Sequence, residues 1–216
     1  MPNTLAVPQT RAVLGRLFEA AAQDGGRPVP PSGTDPSASA LERADALRDF
    51  CLPVSAEAGT LLYALTRAIR PETVVEFGTS FGISTIYLGA AVTDNGTGHV
   101  ITTELSGDKV AAARSNLRQA GVSHAVTVLP GDARETLADV AGPIGLVLLD
   151  GWKDLCLPVL RLLEPKLSPG ALVAADDITH AGMASYLSYI RDPGNGYETV
   201  AFPVEDGVEI SCWTGR

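Results

Sequence analysis

Acidic residues recur along this chain at the ends of apolar runs. Glu76 follows Thr73-Val-Val, Glu104 follows Val100-Ile-Thr-Thr, Asp132 comes just after Val126-Thr-Val-Leu-Pro, Asp150 follows Leu146-Val-Leu-Leu, and Asp176-Asp177 follow Leu172-Val-Ala-Ala. If the runs are adjacent parallel strands, Asp150 and Asp176 lie side by side and Asp177 extends the group. Three carboxylates in one crevice repel unless a cation or a proton joins them. A hard divalent ion suits such oxygens, and Mg²⁺ would keep waters and leave positions for substrate oxygens. Lys153 stands three residues after Asp150 in Leu149-Asp-Gly-Trp-Lys-Asp154 and can reach the same space. With its pKa lowered by a cation and by burial, its amine could take a proton from a hydroxyl. The plainer alternatives are a surface ion pair of Lys153 with Asp154 and a helix-capping role for Asp177.

The other constellation is Glu76-Phe-Gly-Thr-Ser-Phe-Gly-Ile-Ser84, a strand end, a tight turn and the start of a helix. A dinucleotide site, Gly-x-Gly-x-x-Gly, wants its middle glycine where Ser80 stands, and would not welcome an acid two residues before Gly78. An acid there suits a cationic, phosphate-free cofactor such as S-adenosylmethionine. The turn from Gly78 to Gly82 lets backbone approach a ligand. Ser84, in the first helical turn, can help hold a carboxylate. Glu104 can accept both hydroxyls of a ribose, and Asp132 with Ala133 are placed to meet an adenine edge. A nicotinamide dehydrogenase, a metal-free methyltransferase using His180 or Lys153 alone on nitrogen or a carboxylate, and a non-catalytic cofactor-binding subunit are the rival readings.

Positioning these groups takes an alternating chain. Apolar spacing at Val13, Leu14, Leu17 and Phe18 predicts a helix over 10–23, ended by Gly25-Gly26, then a Pro-, Gly- and Ser-rich loop over 27–37 and a helix over 38–50. Ser55 should cap a longer helix with Leu61, Leu62, Leu65 and Ile69 on one face and Pro71 closing it. Strands are expected at 73–78, 99–104, 125–130, 145–150 and 171–176, with helices near 82–92, 107–120, 134–140, 154–167 and 181–191. The strands are apolar throughout, so both sheet faces must be covered. Two last strands joined by Glu205-Asp-Gly207 read as a hairpin. The fold expected is α/β, a doubly wound, mostly parallel seven-stranded sheet with a C-terminal antiparallel hairpin. Residues 1–50 would form a helical cap covering the site and 51–216 the catalytic domain.

Composition bounds the partners. The 216 residues carry a formal charge of −9 with no Lys/Arg run, which disfavours a nucleic-acid partner. No apolar stretch approaches the roughly 20 residues that span a bilayer, and no signal peptide is visible, so the expectation is a cytoplasmic protein without a membrane partner. Cys51, Cys156 and Cys212 lack metal spacing and read as reduced, mostly buried side chains. His99 and His124 fall at strand starts, away from the site. His180 follows the Asp176-Asp177 strand end and is either a second base, a substrate contact or a solvated loop residue. Trp213, on the last strand, reads as core packing.

With these segments in view, the chain resembles class I S-adenosylmethionine-dependent methyltransferases. Within them it is similar to the small metal-dependent O-methyltransferases of the catechol and caffeoyl-coenzyme A type. The likeness runs from about Leu52 to Gly215 and rests on Leu52-Pro-Val-Ser-Ala-Glu-Ala-Gly59, the loop from Glu76 to Ser84, Thr103-Glu104, the segment from Leu149 to Pro158, and Ala175-Asp-Asp177. It implies transfer of a methyl group from S-adenosylmethionine to a hydroxyl of a small aromatic or natural-product acceptor. The N-terminal helices and the loop over 27–37 would offer a dimer contact, so a homodimer is expected. The resemblance implies cofactor contacts at Leu52, Val54, Glu76, Gly78, Ser80, Ser84, Glu104, Leu105, Asp132, Ala133, Asp150 and Trp152. It implies Mg²⁺, or another divalent cation, at Asp150, Asp176 and Asp177, and Lys153 as the base. There are departures: Asp177 stands where the family commonly has Asn, and Ser80 and Ile83 replace an aromatic side chain near the sulfonium. Glu198 and Glu205 are candidates for an acid that orients a second hydroxyl, and neither aligns cleanly.

Overall fold

The computed structural model describes residues 3–35 and 37–215. Seven strands form one sheet: β1 Thr73–Phe77, β2 His99–Glu104, β3 Val126–Pro130, β4 Ile144–Leu149, β5 Leu167–Ala175, β6 Tyr197–Phe202 and β7 Val208–Trp213. Their order is β3-β2-β1-β4-β5-β7-β6. The first five are parallel, and β7 lies antiparallel between β5 and β6.

The helices are α1 Pro8–Asp24, α2 Pro31–Thr34, α3 Ala40–Ala46, α4 Ala56–Ile69, α5 Ile83–Asn95, α6 Gly107–Gln119, α7 Ala133–Thr136, α8 Cys156–Leu163 and α9 Ala184–Ile190. Strand alternation divides the core between the two sheet faces. Val74, Leu146, Leu148 and Ala174 join the core shared with α1, α4, α5 and α6, whereas Val75, Val147, Leu149 and Val173 join the one shared with α8 and α9. The unbroken apolar runs seen in the sequence are therefore strands buried on both sides.

Several boundaries differ from expectation, each for a local reason. The segment 27–37 contains the short helix α2, which starts at the preset backbone of Pro31. The helix expected over 38–50 is only α3, held by a capping box between Ser39 and Glu42. That over 154–167 narrows to α8 because Pro165 cannot continue it, and the backbone tightens to a 3-10 turn at Glu164–Lys166. Strand β5 starts four residues early and carries a register irregularity against β4, where Pro169-Gly170 interrupt it. The face of α4 turns outward at its end: Leu62 is buried but Ile69 is 37% exposed, next to the left-handed cap at Arg70. Among the described residues no helix is long and apolar enough to cross a membrane.

Candidate functional site

All five parallel strands end toward one cavity of about 680 Å³. At the β1 end the chain turns sharply. Gly78 has φ +101°, and a Cβ there would meet the Asp150 carbonyl oxygen at 2.6 Å, so only glycine fits. Ser80 also takes a left-handed conformation, φ +47°. Its amide donates to Glu104 Oε2 at 2.8 Å, while the Ser106 amide donates to Oε1 at 2.9 Å. The amides of Gly78 and Thr79 both donate to the Thr103 carbonyl at 3.2 Å. Glu104 is thereby locked at the end of β2 with each oxygen still able to accept another hydrogen bond.

Below this loop lies Glu76, fully buried. Thr85 donates to its Oε2 at 2.5 Å, and its Oε1 has no partner among the described residues. Burial pushes its carboxyl up to about 7, against the pull of the nearby Ser84, Thr102 and Thr85 hydroxyls.

The acids of β4 and β5 meet as the strand order requires. The Asp150 amide donates to Phe77 O at 2.9 Å and the Asp176 amide to Leu149 O at 3.1 Å, extending the ladder to the turn. Oxygens of Asp150, Asp176 and Asp177 all lie within 4.8 Å of one another. Asp177 sits at φ +55°. The loop beyond it is braced by the β6–β7 turn, through Ile178 N to Gly207 O at 3.2 Å and Thr179 N to Asp206 O at 3.1 Å. The Lys153 ammonium lies 2.9 Å from Asp150 Oδ1 and 3.0 Å from Asp177 Oδ2.

These neighbours set the proton affinities. Burial raises the Asp176 carboxyl to about 8, and the charges of Asp150 and Asp177 add to it. Burial also raises Asp150, and Lys153 opposes that. Burial alone would lower the Lys153 ammonium, but Asp150 and Asp177 outweigh it and hold the pKa above the ordinary lysine value. In this arrangement Lys153 is a cation gripped by two carboxylates. It becomes a base only when their charge is met by something else.

The cavity wall includes Leu52, Gly78, Ser80, Glu104, Leu105, Asp132, Ala133, Asp150, Trp152, Lys153 and Asp177. Val54, Glu76, Ser84 and Asp176, also expected at the site, are buried behind that wall. Asp132 does local work there: it caps α7 through the Arg134 amide at 2.9 Å and pairs with the Arg134 guanidinium at 2.6 Å. Lys153 does not pair with Asp154, and Asp177 does not cap the following turn. His180 does that, its Nδ1 accepting from the Gly182 amide at 3.0 Å, and it also borders the cavity. His99 and His124 contact Thr127 and Thr93 near the starts of β2 and β3. Trp213 packs on Tyr197 with ring centroids 4.8 Å apart. Glu198 and Glu205 are not in the wall, although Glu205 adds to the field at Asp150.

Two cationic wall residues were not expected from sequence. Arg43, on α3, makes a two-pronged ion pair with Asp154 at 2.9 and 3.0 Å and stacks 4.6 Å over the Trp152 ring. It therefore grips the residues on either side of Lys153. Lys109, on α6, is 5% exposed and also borders the cavity. Neither was visible in the sequence, since Arg43 reads as a polar position of the helix expected over 38–50 and its ion-pair partner lies 111 residues on.

Residues 75–178 match the family model described as a methyltransferase domain. The chain is 35% identical over 152 residues to the catechol O-methyltransferase of Mycobacterium tuberculosis, covering 69% of this chain and 68% of that one. It is 29% identical over 214 residues to catechol O-methyltransferase B of Danio rerio, covering 93% and 78%. Among solved structures, cofactor-bound Rv0187 from MTB superposes with a TM-score of 0.71 at 28% identity, over 91% of this chain and 96% of that one. The O-methyltransferase TomG of Streptomyces achromogenes has the same fold, with a TM-score of 0.69 at 24% identity over 94% and 99%. Strand order, cavity and relatives converge: the chain belongs to the class I S-adenosylmethionine-dependent O-methyltransferases.

Proposed function

We propose that this enzyme methylates a hydroxyl of a small aromatic or natural-product acceptor, with a divalent cation at Asp150, Asp176 and Asp177 and Lys153 as the base. The observation that carries this reading is the convergence of three carboxylates within 4.8 Å beside a lysine at the cavity wall. An all-oxygen set of this charge fits a hard cation. The catechol O-methyltransferase names of the relatives support an aromatic hydroxyl as acceptor. Bound there, the cation would acidify the acceptor hydroxyl and offset the carboxylate charge that now holds the Lys153 proton.

The residues expected at the site fit S-adenosylmethionine, whose sulfonium would supply an electrophilic methyl group. Glu104 accepts from the ribose hydroxyls. Glu76, with one buried oxygen lacking a partner, offers an acceptor for the ammonium. Gly78, Ser80 and Ser84 shape the turn around the methionyl part, and Leu52 and Val54 border it. Leu105, Asp132, Ala133 and Trp152 flank the adenine. Lys153 Nζ takes the acceptor proton, and the short α2–α3 segment covers the cavity and limits water.

One observation favours a metal-free variant: the Lys153 ammonium already pairs with both Asp150 and Asp177 and offsets part of their charge. Turnover of catechol by chelator-treated protein, with and without added Mg²⁺, separates the two. Loss on chelation and recovery with Mg²⁺ is the expected result. Full activity after metal removal would sink the metal-assisted mechanism.

A further inference from the structure

Lys109 is a buried cation without a counter-charge in contact. It sits in the first turn of α6, where the helix dipole disfavours positive charge. It is 5% exposed, yet among the described residues its ammonium makes no ion pair and no hydrogen bond. The Phe81 ring, 5.6 Å away, is its one close aromatic neighbour among the described residues. Burial lowers its pKa, and the charge of Glu104 is the largest opposing influence. An ammonium held this way costs stability in the ligand-free fold. It borders the same cavity as Glu104.

Glu104 offers only half of what a vicinal diol needs. Its oxygens, fixed by the Ser80 and Ser106 amides, can accept the hydroxyl protons. Each hydroxyl oxygen also has lone pairs that call for a donor. We propose that Lys109 is a second ribose ligand, donating to the hydroxyl oxygens whose protons Glu104 accepts. The separation between ammonium and carboxylate, beyond ion-pair distance, leaves both free for a bridging hydroxyl. The proposal rests on S-adenosylmethionine occupying this cavity with its ribose at Glu104.

The test is calorimetric titration of wild-type and Lys109→Met protein with S-adenosylhomocysteine and its 2′-deoxy and 3′-deoxy analogues, together with ligand-free thermal unfolding. Lys109→Met should weaken S-adenosylhomocysteine by about tenfold or more. At least one deoxy analogue should bind wild type and variant alike, because the contact is already gone. The ligand-free variant should melt no lower than wild type, since an unsatisfied charge is replaced by a flexible apolar chain. Lys109→Gln, which keeps a donor without the charge, should lose less affinity than Lys109→Met. Unchanged affinity in Lys109→Met, or losses from substitution and deoxygenation that simply multiply, overturns the proposal alone. A lower melting point for both variants would make Lys109 a structural residue and overturn it too. Failure of wild type to bind S-adenosylhomocysteine would overturn the cofactor placement along with it.

Discussion

Two lysines open on one cavity and are held in opposite ways. Lys153 has carboxylates at 2.9 and 3.0 Å, and its ammonium is stabilised despite burial. Lys109 has none in contact, and burial prevails. Depth alone therefore does not decide the charge state; the first shell of neighbours does. On the Lys153 side of the cavity, three carboxylates stand around one ammonium. The Lys109 side carries a single positive charge waiting for an acceptor.

The hardest test of this contrast is Lys153→Met. Loss of a positioned base should cut turnover by about 10²- to 10⁴-fold, while affinity for S-adenosylhomocysteine stays within about twofold. The ligand-free variant should also melt lower, because three carboxylates lose their counter-charge, and Mg²⁺ should restore the melting point. Retained turnover would erase the distinction between the two lysines as base and ligand.

Glu76 extends the comparison to an acid with hydroxyl neighbours but no cation against it. Its folded pKa of about 7 exceeds the ordinary 4.5, so the folded protein keeps a proton that the unfolded chain has lost. That proton favours folding less and less as pH climbs from about 4.5 to about 7, and the full cost is present above that. The span corresponds to roughly 3–4 kcal/mol. Glu76→Gln should flatten the decline in ligand-free melting temperature between pH 5 and pH 8 relative to wild type. An unaltered slope would show that Glu76 is ionised throughout.

A smaller effect is expected at Arg43. Arg43→Met frees Trp152 and Asp154, and S-adenosylhomocysteine affinity should fall about three- to tenfold. Trp152 emission should shift when measured in a Trp213→Phe background. Asp154→Asn should do nearly the same, with little further loss in the double variant; independent losses would mean that the two residues do not act as one clamp.

Much of the site was legible in sequence because it is written at strand ends. Apolar runs located the strands, and parallel order then brought Asp150 and Asp176 together without any further information. Helix limits at 38–50 and 154–167 were less legible, since a capping box and a proline decide them locally while pattern extends past both. Asp132 reads as a ligand residue from its place after β3 and does line the cavity, but nothing in the sequence signals its added pairing with Arg134. Arg43 and Lys109 were illegible for a different reason. Their roles come from contacts made across the fold, and a short helix bearing one arginine, or a polar first turn bearing one lysine, has nothing periodic to read.

The glycine at position 78 has a mechanical consequence. Its bare α-carbon rests against the main chain of Asp150 and Gly151, so the turn after β1 and the turn after β4 touch backbone to backbone. The distance between these two turns is thus gauged by the skeleton itself, not by adjustable side chains. Substitutions on the α2–α3 cover can therefore reshape the cavity wall while these two turns keep their contact.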